Sequence, residues 1–352
     1  MLLYNKFGCD FMDKVLVGIS GGVDSSVSAL ILKDAGYDVI GVTMELFDKE
    51  DNSDAKDVCD KLNIEYKKLD LKEEFKKGVI EYFVDEYKNC RTPNPCVMCN
   101  KKLKFGKLYE YAKNNNIKYI ATGHYAKIEY SEKYNRYVLR KATNINKDQS
   151  YFLYNIKKEM LPYIIFPLSN FESKDEIRKI AYENNLNTAS KSDSQDICFI
   201  PDGNYKKFLS DNNYIEDIKG NIVINNKIIG THTGLYKYTI GQRKGLGIAY
   251  ENPLYVINFN KENNELIVGE EKDLYINSFK VKDYNLLLID ELTEPIKVNV
   301  KTRYKSKESS ATISLDGEYI NVLFEKKEKG VTPGQSAVFY IDDIVLGGGI
   351  IV

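Results

Sequence analysis

From Lys14 to about residue 125, short apolar runs alternate with longer stretches whose apolar positions recur at helical spacing. The run at 15–19 predicts a strand, and Val27, Leu30 and Ile31 fall on one face of the helix expected after it. Gly36 stands where a helix C-cap belongs, and 37–44 returns as a second strand. A helix near 53–62, a strand near 65–71, helices near 72–88 and 101–115 and a strand at 119–122 continue the series. Such alternation predicts right-handed crossovers and a parallel sheet covered on both faces, with ligands binding at the carboxyl ends of its strands.

After about residue 203 the pattern changes to strands. A hairpin is expected at 222–229, another from 254–260 and 265–268, and strands at 297–303, 311–315, 319–324 and 337–341. The predicted architecture is therefore α/β: a parallel-sheet domain at 13–202, a small β-rich connector at 203–273 and a C-terminal β-barrel at 274–352.

Composition narrows the function classes. At 352 residues the chain exceeds one comfortable core, in keeping with several domains. Lys plus Arg (50) nearly balances Asp plus Glu (51), which excludes a globally basic nucleic-acid coat while leaving room for a local basic face. No run is long and apolar enough to span a bilayer and no signal peptide precedes the first strand, so a cytoplasmic protein without membrane partners is expected. Met12 is an alternative start to Met1. Six cysteines in such a chain argue for metal, cluster or catalytic use over a disulfide framework. Cys9 and Cys59 read as structural or incidental, whereas Cys90, Cys96, Cys99 and Cys198 sit in more telling surroundings.

The sequence VGISGGVDSS at 17–26 turns from the first strand into the first helix. Gly21 and Gly22 allow the backbone to approach an anion, and the helix N-terminus offers unpaired N–H groups. Ser20, Ser25 and Ser26 add hydroxyls, and Asp24 is placed to hold Mg²⁺ beside bound phosphates. Neither a Walker A nor a GxGxxG pattern fits this loop. A second cluster, RTPNPCVMCN at 91–100, is followed by Lys101, Lys102, Lys104 and Lys107. A CxxC entering a basic helix is expected to have lowered thiol pKa values. Three uses of it compete: a redox dithiol, half of a zinc site, and catalytic or cluster-ligating thiolates. Cys198 lies in an apolar, strand-like run, Ser194–Ile200, which by composition alone favours a buried structural cysteine. His124, in Gly123-His124-Tyr125-Ala126, ends a strand on the ligand-binding edge, where it would donate to a phosphate or base or else serve as a satisfied core histidine.

The glycine-rich loop resembles the SGGxDS loop of the PP-loop ATP pyrophosphatases, which split ATP between its α and β phosphates. GISGGVDSS, RTPNPCVMCNKKLKF, ATGHYA, KDQSYFL, DICFIP, YTIGQRKGLGI and TPGQSAVFY together, in this order, resemble the tRNA-specific 2-thiouridylase family from about Lys14 to the C-terminus. The resemblance implies an adenine nucleotide α-hydrolase-like N-terminal domain and ATP-dependent 2-thiolation of the wobble uridine in tRNAs for Lys, Glu and Gln.

By the same resemblance, ATP contacts fall on Gly18, Ile19, Ser20, Gly21, Gly22, Val23, Asp24 and Ser25, with Met44 and Gly123. Cys198 becomes the persulfide carrier and Cys99 its partner thiolate, through a transient Cys99–Cys198 disulfide. Asn94, Pro95 and Cys96 match the segment facing the target base. His124, Lys147, Asp148, Gln149, Arg303, Tyr304 and Gln335 match tRNA-contacting positions, and Lys101, Lys102, Lys104, Lys301 and Lys305 offer phosphate contacts. The implied partners are tRNA and a cysteine desulfurase or sulfur-relay protein. Many members of the family carry Asp at the position of Cys96 and Gly at that of Cys90. Cys96, Cys99 and Cys198 would therefore provide three ligands for a [4Fe–4S] cluster, a rival to the persulfide route. Two other readings stand beside this one: a PP-loop enzyme thiolating or amidating a different substrate, and an RNA-binding protein that keeps the fold without the chemistry.

Overall fold

A computed structural model describes residues 13–48, 52–188 and 197–352. The chain divides into two compact units, one of Met1–Gly78, Cys96–Gln195 and Asp343–Val345, the other of Val79–Pro95, Asp196–Asp342 and Leu346–Val352.

The first unit is built on β1 (Lys14–Gly18), β2 (Asp38–Glu45), β3 (Glu65–Asp70) and β4 (Tyr119–Ala121). A hairpin of β5 (Lys127–Ser131) and β6 (Arg136–Arg140) follows, and then the short β7 (Ile164–Ile165). The sheet runs β3-β2-β1-β4-β7 and every pairing in it is parallel. Val15, Leu16 and Val17 of the central β1 are fully buried, because a strand covered on both faces cannot alternate apolar with polar residues. Edge strand β3 instead exposes most of its length through Glu65, Lys67, Lys68 and Asp70, and that charge discourages further pairing. Helix α1 (Val23–Asp34) buries Val27, Ala29, Leu30 and Leu32 in the core that also takes Val15, Val17 and Val39. Cys59 is fully buried there, and a side chain on Gly41 of β2 would strike its sulfur at 2.4 Å. The expected helix near 72–88 is present as Lys72–Phe75, a π-helical segment Lys76–Ile80 and Glu81–Lys88, and the division between units falls within it.

In the second unit, β8 (Gly220–Ile224) and β9 (Lys227–His232) form the expected hairpin. Asn225 and Asn226 carry its turn at φ of 47° and 61°. With β10 (Tyr255–Asn260) and β11 (Glu265–Gly269) they make a sheet ordered β10-β11-β8-β9. The barrel comprises β12 (Tyr275–Leu286), β13 (Ile296–Lys301), β14 (Ser309–Asp316), β15 (Tyr319–Lys329), β16 (Ser336–Ile341) and β17 (Ile344–Ile351). Its order is β12-β15-β14-β13-β16-β17, closed by pairing of β12 with β17, which leaves no free edge. Inward positions alternate as a barrel requires, with Ala311 and Ile313 on β14 and Ile320, Val322 and Phe324 on β15 buried.

Strand β17 escapes the periodicity reading because Gly347-Gly348-Gly349 forms its middle. A Cβ on Gly347 would meet Asn285 O at 2.3 Å, so glycine is what lets β12 cross so near. The strand-like run around Cys198 is not a strand. Residues 198–199 form a turn in which Ile200 N donates to Ile197 O. The apolar residues there are spent on packing instead, with Phe199 edge-on to both Phe83 and Phe208. Ser194, Gln195 and Asp196 of that motif, like Cys9, lie outside the described residues.

Candidate active site

The loop between β1 and α1 has the geometry of an anion cradle. Gly21 has φ of +72°, open to glycine, and a Cβ on it would sit 3.0 Å from Asp54 Cβ. Gly22 occupies the N-cap position without any side-chain cap, so the first backbone N–H groups of α1 are left for a ligand. Ser25 Oγ accepts from Ser20 N at 3.2 Å and lies 3.2 Å from Ser20 Oγ, pulling the loop into a closed turn. Ser26 is fully buried and its hydroxyl donates back to Gly22 O at 2.8 Å, so it braces the turn from behind. Val23 is buried, Ile19 is in the core beneath, and Ile19 O accepts from Thr43 Oγ1 on β2 at 2.8 Å. Gly18 pairs with Val42, and half-buried Met44 lies two residues further along β2.

Gly123, just beyond β4, closes the site from the other side. A Cβ there would meet Asp24 C and Ser25 N at 2.9 Å, closer than any side chain tolerates. Asp24 is then held by two residues that the sequence reading did not single out. Tyr125 donates its hydroxyl to Asp24 Oδ1 at 2.8 Å, and Lys174 Nζ donates to Oδ2 at 2.5 Å with only 10% of its side chain exposed. Lys174 also lies 5.9 Å from the Tyr125 ring centroid. It opens the helix Lys174–Glu183, whose capping box on Ser173 and Glu176 was legible in SKDE, although nothing local tied that helix to a loop 150 residues earlier.

His124 is buried, with Nδ1 2.7 Å from Thr122 Oγ1 and its ring near Phe105 and Phe166. Burial, aided by the Lys104 charge, drives its pKa well below the ordinary histidine value, so the imidazole is neutral at pH 7. Gln149 pairs with the next residue, its Oε1 accepting from Tyr125 N at 2.9 Å and its N–H donating to Tyr125 O at 2.7 Å. Asp148 is buried and accepts from Ala142 N, Ser150 N and Ser150 Oγ. Both residues therefore shape the loop behind His124, while Lys147 is half-buried at its start.

Asn94 and Pro95 are buried at the entrance of the short helix Pro95–Cys99, which continues as a π-helical segment, Asn100–Lys107. Cys96 is accessible to solvent and Cys99 is 7% exposed. The expected lowering of their pKa values is reversed. Surrounding protein raises both thiols by desolvation, even that of the accessible Cys96, and Lys104 only partly opposes this. The loss of water outweighs the attraction of the Lys104 charge at both thiols. One residue on, Asn100 donates to Phe152 O at 3.0 Å while its buried Oδ1 has no hydrogen-bond partner, a defect worth about 1–3 kcal/mol in an ordinary core.

Cys198 is exposed on its turn in the second unit. Among the described residues no group of three or more His, Cys, Asp and Glu side chains is gathered to hold a metal ion, and neither unit alone contains all three cluster ligands. In the same unit as Cys198, Arg303 donates to Gly330 O at 2.6 Å and to Thr332 Oγ1. Half-buried Tyr304 has Lys301 Nζ 5.7 Å from its ring centroid. Gln335 Nε2 donates to Thr92 O and Pro93 O at 3.0 and 3.1 Å.

Three family models match the chain in succession. A family model described as the tRNA methyl transferase HUP domain matches residues 13–202. A tRNA methyl transferase PRC-barrel domain matches 206–270, and an aminomethyltransferase beta-barrel domain matches 276–351. The chain is 45% identical over 361 residues to the tRNA-specific 2-thiouridylase MnmA of Acetivibrio thermocellus, covering 96% of this chain and 99% of that protein. It is 44% identical to the protein of the same name in Clostridioides difficile, over 97% of this chain and 99% of the relative. For that of Clostridium perfringens the figures are 45%, 96% and 98%. Three matched domains in one order, and relatives aligned almost end to end, place the phosphate loop and both cysteine segments in one lineage: the chain belongs to the tRNA-specific 2-thiouridylase family.

Proposed function

We propose that this protein uses ATP to replace O2 of the wobble uridine by sulfur in tRNAs for Lys, Glu and Gln, acting in the cytoplasm. The observation that carries the reading is the uncapped first turn of α1 facing a hydroxyl-lined loop, with Gly123 pressed against it and Asp24 held at its rim. These features suit the phosphates of ATP, for which Gly18–Ser25, Met44 and Gly123 form the binding surface. Asp24 would hold Mg²⁺, which would offset phosphate charge, and Lys174 is the cation paired with that carboxylate. Residues 13–202 would carry the chemistry, 203–273 connect, and 274–352 help bind tRNA.

Oxide is too poor a leaving group to be displaced from uracil directly. Attack of O2 on the α-phosphorus expels pyrophosphate and makes AMP the leaving group instead. The terminal sulfur of a Cys198 persulfide then attacks C2, and O2 departs with AMP. Cys99 thiolate next attacks Cys198 Sγ, which releases 2-thiouridine and leaves a Cys99–Cys198 disulfide for a thiol reductant to reopen. The raised pKa of Cys99 means that this last attack needs its proton removed as the intermediate forms, with Lys104 favouring the thiolate. Asn94, Pro95 and Cys96 would face the flipped base, and His124, Lys147, Asp148, Gln149, Arg303, Tyr304 and Gln335 would line the path of the tRNA. A desulfurase or relay protein loads the persulfide.

Nucleoside mass analysis of tRNA after reaction tests the proposal: 2-thiouridine should form with ATP and a persulfide donor, and not without ATP. Full thiolation by Cys198→Ala would sink the assignment of the carrier. The alternative carrier, a [4Fe–4S] cluster on Cys96, Cys99 and Cys198, is decided by iron analysis. Iron-free protein that still thiolates tRNA from a persulfide donor removes it.

A further inference from the structure

The motif Thr332-Pro333-Gly334-Gln335 connects β15 to β16 of the barrel, and each of its residues is engaged in one construction. Thr332 is buried and its hydroxyl receives the Arg303 guanidinium. Pro333 O accepts from Thr92 N at 2.9 Å. Gly334 has φ of +89°, and a Cβ on it would lie 2.8 Å from Thr92 N and 2.9 Å from both Arg91 Cβ and Thr92 O. Gln335 Nε2 bridges Thr92 O and Pro93 O, and since both partners are carbonyls only the amide nitrogen fits there. The loop itself is tied to β17, Gly334 N donating to Ile351 O and Ile351 N to Gln335 O, each at 2.9 Å.

The segment so gripped is equally fixed on its other flank. Arg91 makes a two-pronged ion pair with buried Glu86, at 2.8 and 2.5 Å, and its N–H donates to Glu86 O at 2.9 Å. Two residues beyond Thr92 the chain reaches Asn94, then Pro95 and the CxxC helix. A proline-broken loop of this kind has no ladder of its own, so its conformation is set by whatever satisfies its carbonyls.

We propose that the Thr332–Gln335 turn is a clamp that sets the backbone of Thr92–Pro95, and that Gln335 acts as a positioning residue within it. Its amide nitrogen serves the protein's own chain, and Arg303 braces the turn from below. The barrel thereby fixes the segment of its own unit that leads into the CxxC helix. The functional consequence rests on the thiolation reading, but the clamp itself is measurable in the free protein.

The test compares wild type, Gln335→Met, which keeps the volume and loses the donor, and Gln335→Lys, which restores one. Hydrogen exchange of the peptide spanning 91–99 in free protein should quicken about tenfold in the Met variant, with β14 and β15 unchanged, and recover in the Lys variant. A net hydrogen bond of about 1.4 kcal/mol corresponds to that factor. Single-turnover thiolation at saturating tRNA should slow about tenfold in the Met variant and recover in the Lys variant. Unchanged exchange at 91–99 overturns the clamp, whether tRNA affinity then falls tenfold, marking Gln335 as a direct tRNA contact, or stays the same. Quickened exchange in the Met variant, together with a wild type that forms no thiouridine, would leave the clamp standing and remove the thiolation reading instead.

Discussion

Two residues in the first unit show how neighbours decide chemistry. Lys174 and Tyr125 neutralise and orient Asp24, so the rim of the phosphate loop carries a cation that the loop sequence does not reveal. Lys174→Met should weaken pyrophosphate binding about tenfold in calorimetry, the worth of one charge-assisted hydrogen bond, while AMP binding stays unchanged. Equal weakening of both ligands would mean that the loop had simply lost its shape. His124 bears on acid stability. Its folded pKa lies below the ordinary 6.5, so the unfolded chain takes up a proton that the folded protein refuses. Its contribution is complete above about pH 6.5 and is lost as pH falls through the folded value, at up to about 1.4 kcal/mol per pH unit. Denaturant titrations from pH 7 to 5 should show this slope, and His124→Gln should flatten it. The cysteines carry the same lesson in reverse. A CxxC beside lysines suggests activated thiols, yet burial raises both, because desolvation acts through the whole surrounding volume and sequence spacing does not report it.

At the scale of elements, glycine marks the points where two segments must nearly touch. Gly123 admits the first turn of α1 against the end of β4, with 2.9 Å to backbone atoms that cannot yield. Gly123→Ala should therefore cost about 1–3 kcal/mol of stability by overpacking, and nucleotide binding should fall further than stability does. A variant that melts lower but binds AMP as tightly as wild type would refute the role given to that contact. The β1–α1 turn was readable from its sequence because a strand, two glycines and an uncapped helix start lie consecutively. The tyrosine and lysine that complete it were not, since they arrive from 101 and 150 residues away. The hairpin β5–β6 and strand β17 were also missed, the latter because three glycines carry no hydrophobic pattern.

For the whole molecule, near-neutral net charge sets a limit on how tRNA is held. Attraction must come from local lysines, so binding should weaken linearly in log–log form as salt rises. Replacing Lys301 and Lys305 together by Gln should reduce that slope by about 1 to 2, each phosphate contact being worth roughly 0.7 to 0.9. An unaltered slope in filter-binding titrations would place the tRNA backbone elsewhere.

Local order and period lie within the sequence's reach, and from them came the parallel sheet, the later run of strands, the phosphate loop and the separate cysteine segments. Each of these depends on residues within a turn or two of one another. Tertiary structure alone decided how Asp24 is held, the protonation of Cys99 and His124, the exposure of Cys198 and the grip of Gln335 on Thr92 and Pro93. Those properties depend on charges, carbonyls and excluded water brought together by folding, and a side chain's distance along the chain says nothing of them.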